Sequence, residues 1–392
     1  MIQRIRKELE LRILVLTHEY PPVGGGGGRV AQDLSQGFVQ AGHQVHVITA
    51  QCGDLIAEEE DHGVNVRRIK SLRKEPYQAS FFAMLAFVLT ASIETLKSIH
   101  NWKPDVLHVH FAVPAGPIAW VANRLTKIPY ILTIHLGDVP GGTPQKTDRW
   151  FKFIFPFTPP IWKKAAKVVA VSNYTKELAL KRYDVPIEII HNGIHVDPQQ
   201  LVVQLQDPIE IVFAGRMIDQ KDPVQVVRIL AQCKQYQWHC TMFGDGPLKE
   251  LVEKEIKKED LESRFNLPGW LSPEMVQNHL LKSDILLMPS LSEGMPVIGV
   301  HALAAGLCLI VSKVGGFVEI VDNGENGYLL QAGGGEIWTK TILDLLQDTE
   351  KILRMKQKSL EKALQFDLNV IVNSYLSLFQ DVIQEYGLEH PL

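Results

Sequence analysis

Residues 293–306 read Glu-Gly-Met-Pro-Val-Ile-Gly-Val-His-Ala-Leu-Ala-Ala-Gly. The apolar run at 285–289 just before them suits a buried strand, and Pro296 suits the first turn of a helix. The amides of Met295, Val297 and Ile298 then fall where a helix leaves its N–H groups without partners, open to sugar or phosphate oxygens. Glu293, just ahead, can accept hydrogen bonds from sugar hydroxyls. Eight residues of helix rise about 12 Å, comparable with the reach from a sugar to a nucleoside ribose.

Outward from this stretch the same strand–loop–helix alternation fills all 392 residues. Strand candidates lie at 12–17, 44–49, 105–111, 130–135, 168–172 and 187–191, with helical patterns such as 30–40 and 115–125 between them. The alternation restarts near 208 with 209–214, 240–243, 265–267, 285–289, 309–312 and 327–330. Alternation of this kind implies parallel sheets covered by helices, here two doubly wound α/β domains. In such sheets ligands collect beyond the carboxyl ends of the strands. The unusual loops sit there, so a ligand is expected in a cleft between the domains.

Composition is that of a soluble globular protein, with 46% apolar and 21% charged residues and a net charge of −4. That excludes wholesale disorder and argues against nucleic-acid binding. The charge is uneven: residues 1–200 hold 23 Lys and Arg against 18 Asp and Glu, residues 201–392 hold 17 against 26. Four cysteines without CxxC spacing read as reduced cytosolic thiols. No secretory signal is visible, and the uncharged stretch 76–93 reads as a buried or interfacial helix.

Two further loops carry chemistry. His18-Glu19-Tyr20-Pro21-Pro22 leads into five glycines, Gly24 to Gly28, and a helix, so backbone can approach a phosphate beside a positive dipole end. A plain flexible turn is the alternative. Gly26, Gly28 and Ala31 also fit a dinucleotide fingerprint, yet Ile48-Thr49-Ala50-Gln51 supplies no acid for a ribose hydroxyl, against a nicotinamide oxidoreductase. After the strand at 209–214, Arg216 and Lys221 project from a loop; a planar fork and a point charge together suit a diphosphate. A solvated charge pair is the plain reading. His108 and His110 share a strand face and read as buried or cleft-wall histidines, since no Cys, His or Asp cluster accompanies them.

With these residues quoted, the chain resembles a family 4 glycosyltransferase of the GT-B fold, two Rossmann-like domains facing across a deep cleft. The likeness covers nearly the whole chain in order. It includes the Pro-Pro/Gly-rich loop, residues 105–110, Thr133-Ile134-His135, Asn192-Gly193-Ile194, Gly215-Arg216 with Lys221, Gly244-Asp245-Gly246-Pro247 and Gly315-Gly316. The family pattern E-G-x-P-x-x-x-x-E-A-x-A-x-G finds its first glutamate at Glu293 and a histidine, His301, at its second.

The resemblance implies an acceptor-side domain over 1–197 and a donor domain over 198–370, with a C-terminal helix at about 371–392 crossing back. It implies donor-diphosphate binding by Arg216 and Lys221, and sugar binding by Glu293 with the Met295, Val297 and Ile298 amides. His135 would face the donor sugar at the reaction centre. Gly25, Gly26, Gly27 and Gly28 would approach the phosphate or acceptor, Gly244 the donor, and Leu267 and Trp270 the base. A neutral His301 offers one donor and one acceptor where two carboxylate oxygens are usual for the ribose, and a histidine that merely packs is the plain reading. The chain has no Asp-x-Asp pair, so no metal and no cofactor is expected beyond the nucleotide-sugar co-substrate. The resemblance also implies retention, by same-face attack, with UDP-glucose favoured as donor and a saccharide or lipid-linked acceptor in polysaccharide biosynthesis. A nucleotide-sugar-binding protein without turnover is the other reading. The enzyme is expected in the cytoplasm of a bacterium. Peripheral membrane contact is suggested by Arg67, Arg68, Lys70, Arg73 and Lys74 ahead of 77–89, and by the stripe Ile2, Ile5 and Leu9 beside Arg4, Arg6 and Lys7; a solvated basic surface segment with a buried helix is the equal alternative.

Overall fold

The computed structural model describes residues 10–76, 79–142, 154–196 and 203–389. The chain divides into two compact units. The first comprises residues 1–171, 175–193 and 368–392, the second 172–174 and 194–367. The expected break at 197/198 lies outside the described residues, as do Tyr77 and the N-terminal stripe.

The first unit runs β1 (Arg12–Leu16), α1 (Gly26–Gln40), β2 (Gln44–Cys52), β3 (Glu58–Asp61), β4 (Val64–Arg73), α2 (Phe81–Trp102), β5 (Val106–His110), α3 (Ala115–Thr126), β6 (Tyr130–Ile134), α4 (Pro159–Lys164), β7 (Lys167–Ala170), α5 (Asn173–Leu180) and β8 (Glu188–Ile189). Its sheet has the order β3-β4-β2-β1-β5-β6-β7-β8, parallel except for β3. Strands buried on both faces send alternate residues to opposite sides. Leu107 and Val109 of β5 pack with Phe87, Ile118 and Trp162 in one core. His108 packs on the other face.

The second unit runs β9 (Ile209–Ala214), α6 (Pro223–Ala231), β10 (Trp238–Phe243), α7 (Lys249–Lys258), β11 (Phe265–Gly269), α8 (Pro273–Leu280), β12 (Ile285–Met288), α9 (Val297–Ala304), β13 (Cys308–Ser312), α10 (Phe317–Ile320), β14 (Gly327–Leu330), α11 (Gly335–Gln347) and α12 (Thr349–Ala363). Its all-parallel order, β11-β10-β9-β12-β13-β14, is the 3-2-1-4-5-6 order of a Rossmann sheet, with the switch point between β9 and β12. At the opposite edge Asp284 is fully buried. It accepts from the Glu210 amide at 2.9 Å and from Lys356 Nζ at 2.7 Å, which fixes the start of β12.

Helix α13 (Leu368–Glu389) returns to the first unit. Its Tyr375 and Phe379 pack on Phe38 of α1, with ring centroids 6.3 and 5.3 Å away, and on His108, 4.9 and 5.3 Å away. This is how a histidine comes to lie in an aromatic core.

One segment departs from expectation. Strands β3 and β4 replace what read as a basic surface segment. Arg68 and Arg73 stand at buried positions of β4. Arg68 pairs with Glu59 of β3 and donates to the Pro21 carbonyl at 2.7 Å. Arg73 donates to the carbonyls of His18 at 3.0 Å and Pro76 at 2.8 Å. Arg67 pairs with Glu94 of α2 at 3.0 Å. Of the five cations, Lys70 and Lys74 alone are exposed without an ion pair among the described residues. The long uncharged stretch becomes α2, whose Ala83, Phe87, Ala91 and Ile99 are buried, while Phe82, Leu85, Leu89 and Ile93 face outward.

Candidate active site

In the second unit the loops after β9 and β12 meet at the switch point. Lys221, at the end of a 3-10 turn, places Nζ 2.5 Å from Glu293 Oε1. Gln220 donates to the Ser292 carbonyl at 2.8 Å and accepts from the Leu291 amide at 2.8 Å. Lys221 is therefore no free loop cation. Its side chain is 17% exposed and that of Glu293 6%, so the pair is withdrawn from most of the solvent. Arg216 is half-buried, and its guanidinium has no partner among the described residues. One cation is engaged with the carboxylate and the other is unengaged.

Helix α9 begins at Val297, one residue later than expected, with Pro296 as its N-cap. The Val297 and Ile298 amides lie in its first turn, where no intrahelical acceptor exists. Gly315 buttresses this loop. Its φ is 53°, and a Cβ there would collide with the Glu293 carbonyl, while the next amide, of Gly316, donates to Gly294 O at 2.6 Å. Only a glycine lets the two loops approach so closely.

The other donor candidates fall around the same sheet edge. The Gly244 amide donates to Gly269 O at 2.8 Å, so this glycine ties the β10 loop to the end of β11. Leu267 is half-buried in β11, and Trp270 follows it with an exposed ring. His301 of α9 places Nδ1 3.3 Å from Gln277 Oε1 on α8. Gln277 escaped sequence reading; only its helical spacing from the Pro273 start could have suggested it.

In the first unit the glycine run does not form a long loop. Gly25 is the N-cap, and Gly26, Gly27 and Gly28 are the first turn of α1. A Cβ on Gly27 would lie 2.5 Å from the Phe111 ring and 3.5 Å from His135 Nδ1, so the bare backbone is what admits these side chains. Glu19, quoted but given no role from sequence, accepts the Gly25 amide at 3.0 Å and lies 3.8 Å from Arg73. The helix end is thus already answered by a carboxylate of this chain.

His135 stands at the carboxyl end of β6, 8% exposed. Its Nε2 is 3.3 Å from His110 Nδ1, and its amide donates to Asp138 at 2.8 Å. Behind it, His108 Nε2 is 2.9 Å from Thr133 Oγ1, which is 3.1 Å from the Tyr375 hydroxyl. Burial pushes His135 down to about 4, His18 to about 4 and His108 to about 3, with His110 also well below its ordinary value. These imidazoles are neutral at pH 7 and act as hydrogen-bond partners, not cations. Burial also raises Asp138 to about 7, against the amides that bond it. Among the described residues, no three His, Cys, Asp or Glu side chains converge as metal ligands.

Known proteins match this sequence and share its fold. The sequence model described as Glycosyltransferase Family 4 matches residues 24–198, and that described as Glycosyl transferases group 1 matches 199–362. The N-acetyl-alpha-D-glucosaminyl L-malate synthase of Bacillus anthracis is 26% identical over 93% of this chain and 96% of its own. An uncharacterized glycosyltransferase of Methanocaldococcus jannaschii is 25% identical over 87% of this chain and 90% of its own. Among solved structures, sucrose-phosphate synthase from Thermosynechococcus elongatus superposes with a TM-score of 0.82 at 18% identity, covering 96% of this chain and 100% of that one. Anabaena HepE in complex with UDP and glucose gives 0.76 at 18%, covering 95% and 100%. The two matched segments leave only the first 23 and last 30 residues outside, and the chain belongs to the family 4 glycosyltransferases with the GT-B fold.

Proposed function

We propose that the enzyme transfers a hexose from a nucleoside diphosphate sugar, UDP-glucose favoured, to a saccharide or lipid-linked acceptor with retention of configuration and without a metal ion. The observation that carries this is the Lys221–Glu293 pair together with Arg216, whose guanidinium has no partner among the described residues, at the switch point. Arg216, Lys221 and the first-turn amides of α9 answer the charge that develops on a leaving diphosphate. Glu293, its charge balanced by Lys221, accepts from sugar hydroxyls. The departing phosphate oxygen takes the acceptor's proton as the new glycosidic bond forms on the same face. A neutral His135 adds one donor and one acceptor for a sugar hydroxyl.

Cell-envelope or exopolysaccharide synthesis is the proposed setting, at the cytoplasmic face of a membrane. In support, Phe82, Leu85, Leu89 and Ile93 form an exposed apolar stripe along α2, and Lys70 is tied to that helix through its carbonyl and Thr90 Oγ1 at 3.0 Å. Helix α2 is long and apolar enough to cross a membrane by composition. Its opposite face belongs to the first unit's core, which favours lying on the surface.

A second reading, donor binding without turnover, rests on His301 turned toward Gln277. One experiment separates the two. A panel of UDP- and GDP-sugars is incubated with and without excess chelator, and released nucleoside diphosphate is measured with a range of acceptors. Turnover of one donor, equal in both conditions, is expected. Donor binding without release for every acceptor would leave the binding reading, and an obligatory Mg²⁺ or Mn²⁺ would overturn the metal-free mechanism.

A further inference from the structure

A second hollow lies in the first unit, where the C-terminal ends of α3 and α4 meet α13. It has a volume of about 410 Å³, within the range of small-ligand sites of about 300–1,000 Å³. Helix α3 runs back against the strands, so its C-terminal end is at the amino edge of β6, and Ala166 beside it bonds the Tyr130 carbonyl at 2.9 Å. The glycine run and His135 occupy the opposite, carboxyl edge. The hollow therefore belongs to neither set of loops described above.

Its lining is unusual in charge. Among the described residues Arg124, Lys127, Lys163 and Lys164 contribute four cations and Glu385 the only carboxylate, a balance of +3. All four cations are exposed, and none forms an ion pair among the described residues. Helix C-termini attract cations, but each dipole end carries only about half a charge, and four like charges around one hollow repel one another. Trp120 and Tyr386 are half-buried in the wall and Val382 is buried at the base. The Tyr386 hydroxyl is fixed by Asn123 Nδ2 at 2.8 Å, which itself donates to the Ile128 carbonyl at 2.9 Å. Rigid aromatic walls under a cationic rim fit an anion attached to an organic body.

We infer that this hollow between α3, α4 and α13 binds a phosphoryl group, carried either on a soluble phosphate ester or on the headgroup of an anionic phospholipid. The cations take the phosphate oxygens, and Trp120 and Tyr386 contact the body that carries them. The site is separate from donor binding and is loaded independently of it.

The test uses the full chain and two probes at constant ionic strength. sn-Glycerol 3-phosphate is titrated while Trp emission is followed, with Trp120→Phe as the control for the reporting ring. Vesicles of phosphatidylglycerol and phosphatidylcholine are followed by co-sedimentation. Lys163→Glu with Lys164→Glu turns the lining from +3 to −1 and is expected to weaken the responding probe at least tenfold, with UDP affinity unchanged. Arg124→Gln with Lys127→Gln repeats the test by neutralisation, should the first variant fold poorly. A saturable glycerol phosphate signal lost in these variants assigns the soluble ester. Sedimentation alone, lost in the same variants, assigns the lipid headgroup. Failure of both probes to bind, or binding that both variants leave unchanged, overturns the proposal.

Discussion

The pairing of Lys221 with Glu293 separates two quantities that one mutation would otherwise confound. Lys221→Met leaves a carboxylate that is 6% exposed and has no other described partner. Removing one member of a buried pair costs about 3–5 kcal/mol; the 17% exposure of Lys221 lets water reach the site, so about 3 kcal/mol is expected. For a unit of this size that is a fall in Tm of about 6–12 °C. Glu293→Gln keeps the shape and leaves a lysine able to turn to water, at a cost of about 1 kcal/mol. The double variant buries no unpaired charge and should also lose only about 1 kcal/mol, a coupling of about 3 kcal/mol. Activity follows another pattern. Lys221→Met should lower turnover about 10²–10³-fold, and the double variant should not recover it, because the diphosphate still lacks its cation. Thermal unfolding and nucleotide release on all four proteins give both readings. Additive stabilities, or a Lys221→Met enzyme with the parent turnover, would refute the reasoning.

Two further outcomes follow from the geometry. Gly315→Ala meets both a φ of 53° and the Glu293 carbonyl, so it should displace the Glu293 loop and raise the donor KM more than it lowers the unfolding midpoint; an unchanged KM would contradict the buttress. The depressed His135, His18 and His108 contribute stability present above about pH 6.5 and lost as pH falls toward 4, whereas the raised Asp138 contributes below its ordinary 3.8 and loses it as pH rises through about 7. Three groups outweigh one, so the urea midpoint should fall between pH 6.5 and 4.5; a rising midpoint would mean that the imidazoles are not neutral.

How much of this the sequence carried depends on the range of the interaction. The parallel strands were legible because a strand buried on both faces is a continuous apolar run, as at Ile285–Met288 and Cys308–Ser312. The loops after β9, β12 and β13 were legible as loops because Pro296, Gly315 and the strand ends mark them locally. Strand β4 was not, since arginines at its buried positions look like surface until Glu59 and the Pro21 and His18 carbonyls are seen closing on them. Lys221 read as a loop cation because its partner is 72 residues away. Glu19 had no role legible in the sequence, as nothing local says that a carboxylate will fold back onto the glycine run. The hollow beside Trp120 joins three helices from distant parts of the chain and leaves no local pattern.

The contact of Thr133 with Tyr375 spans 242 residues, and it orders events during synthesis. The second unit is nearly continuous from Ile194 to Asp367 and can close as soon as it leaves the ribosome. The first unit emerges earlier yet lacks the rings that cover Phe38 and His108 until α13 has been made. At about 5–20 residues per second, translating the intervening stretch takes roughly 10–35 s. For that interval the half begun first presents an open aromatic face, so a nascent chain stalled before Leu368 is the species on which chaperones have the most to hold.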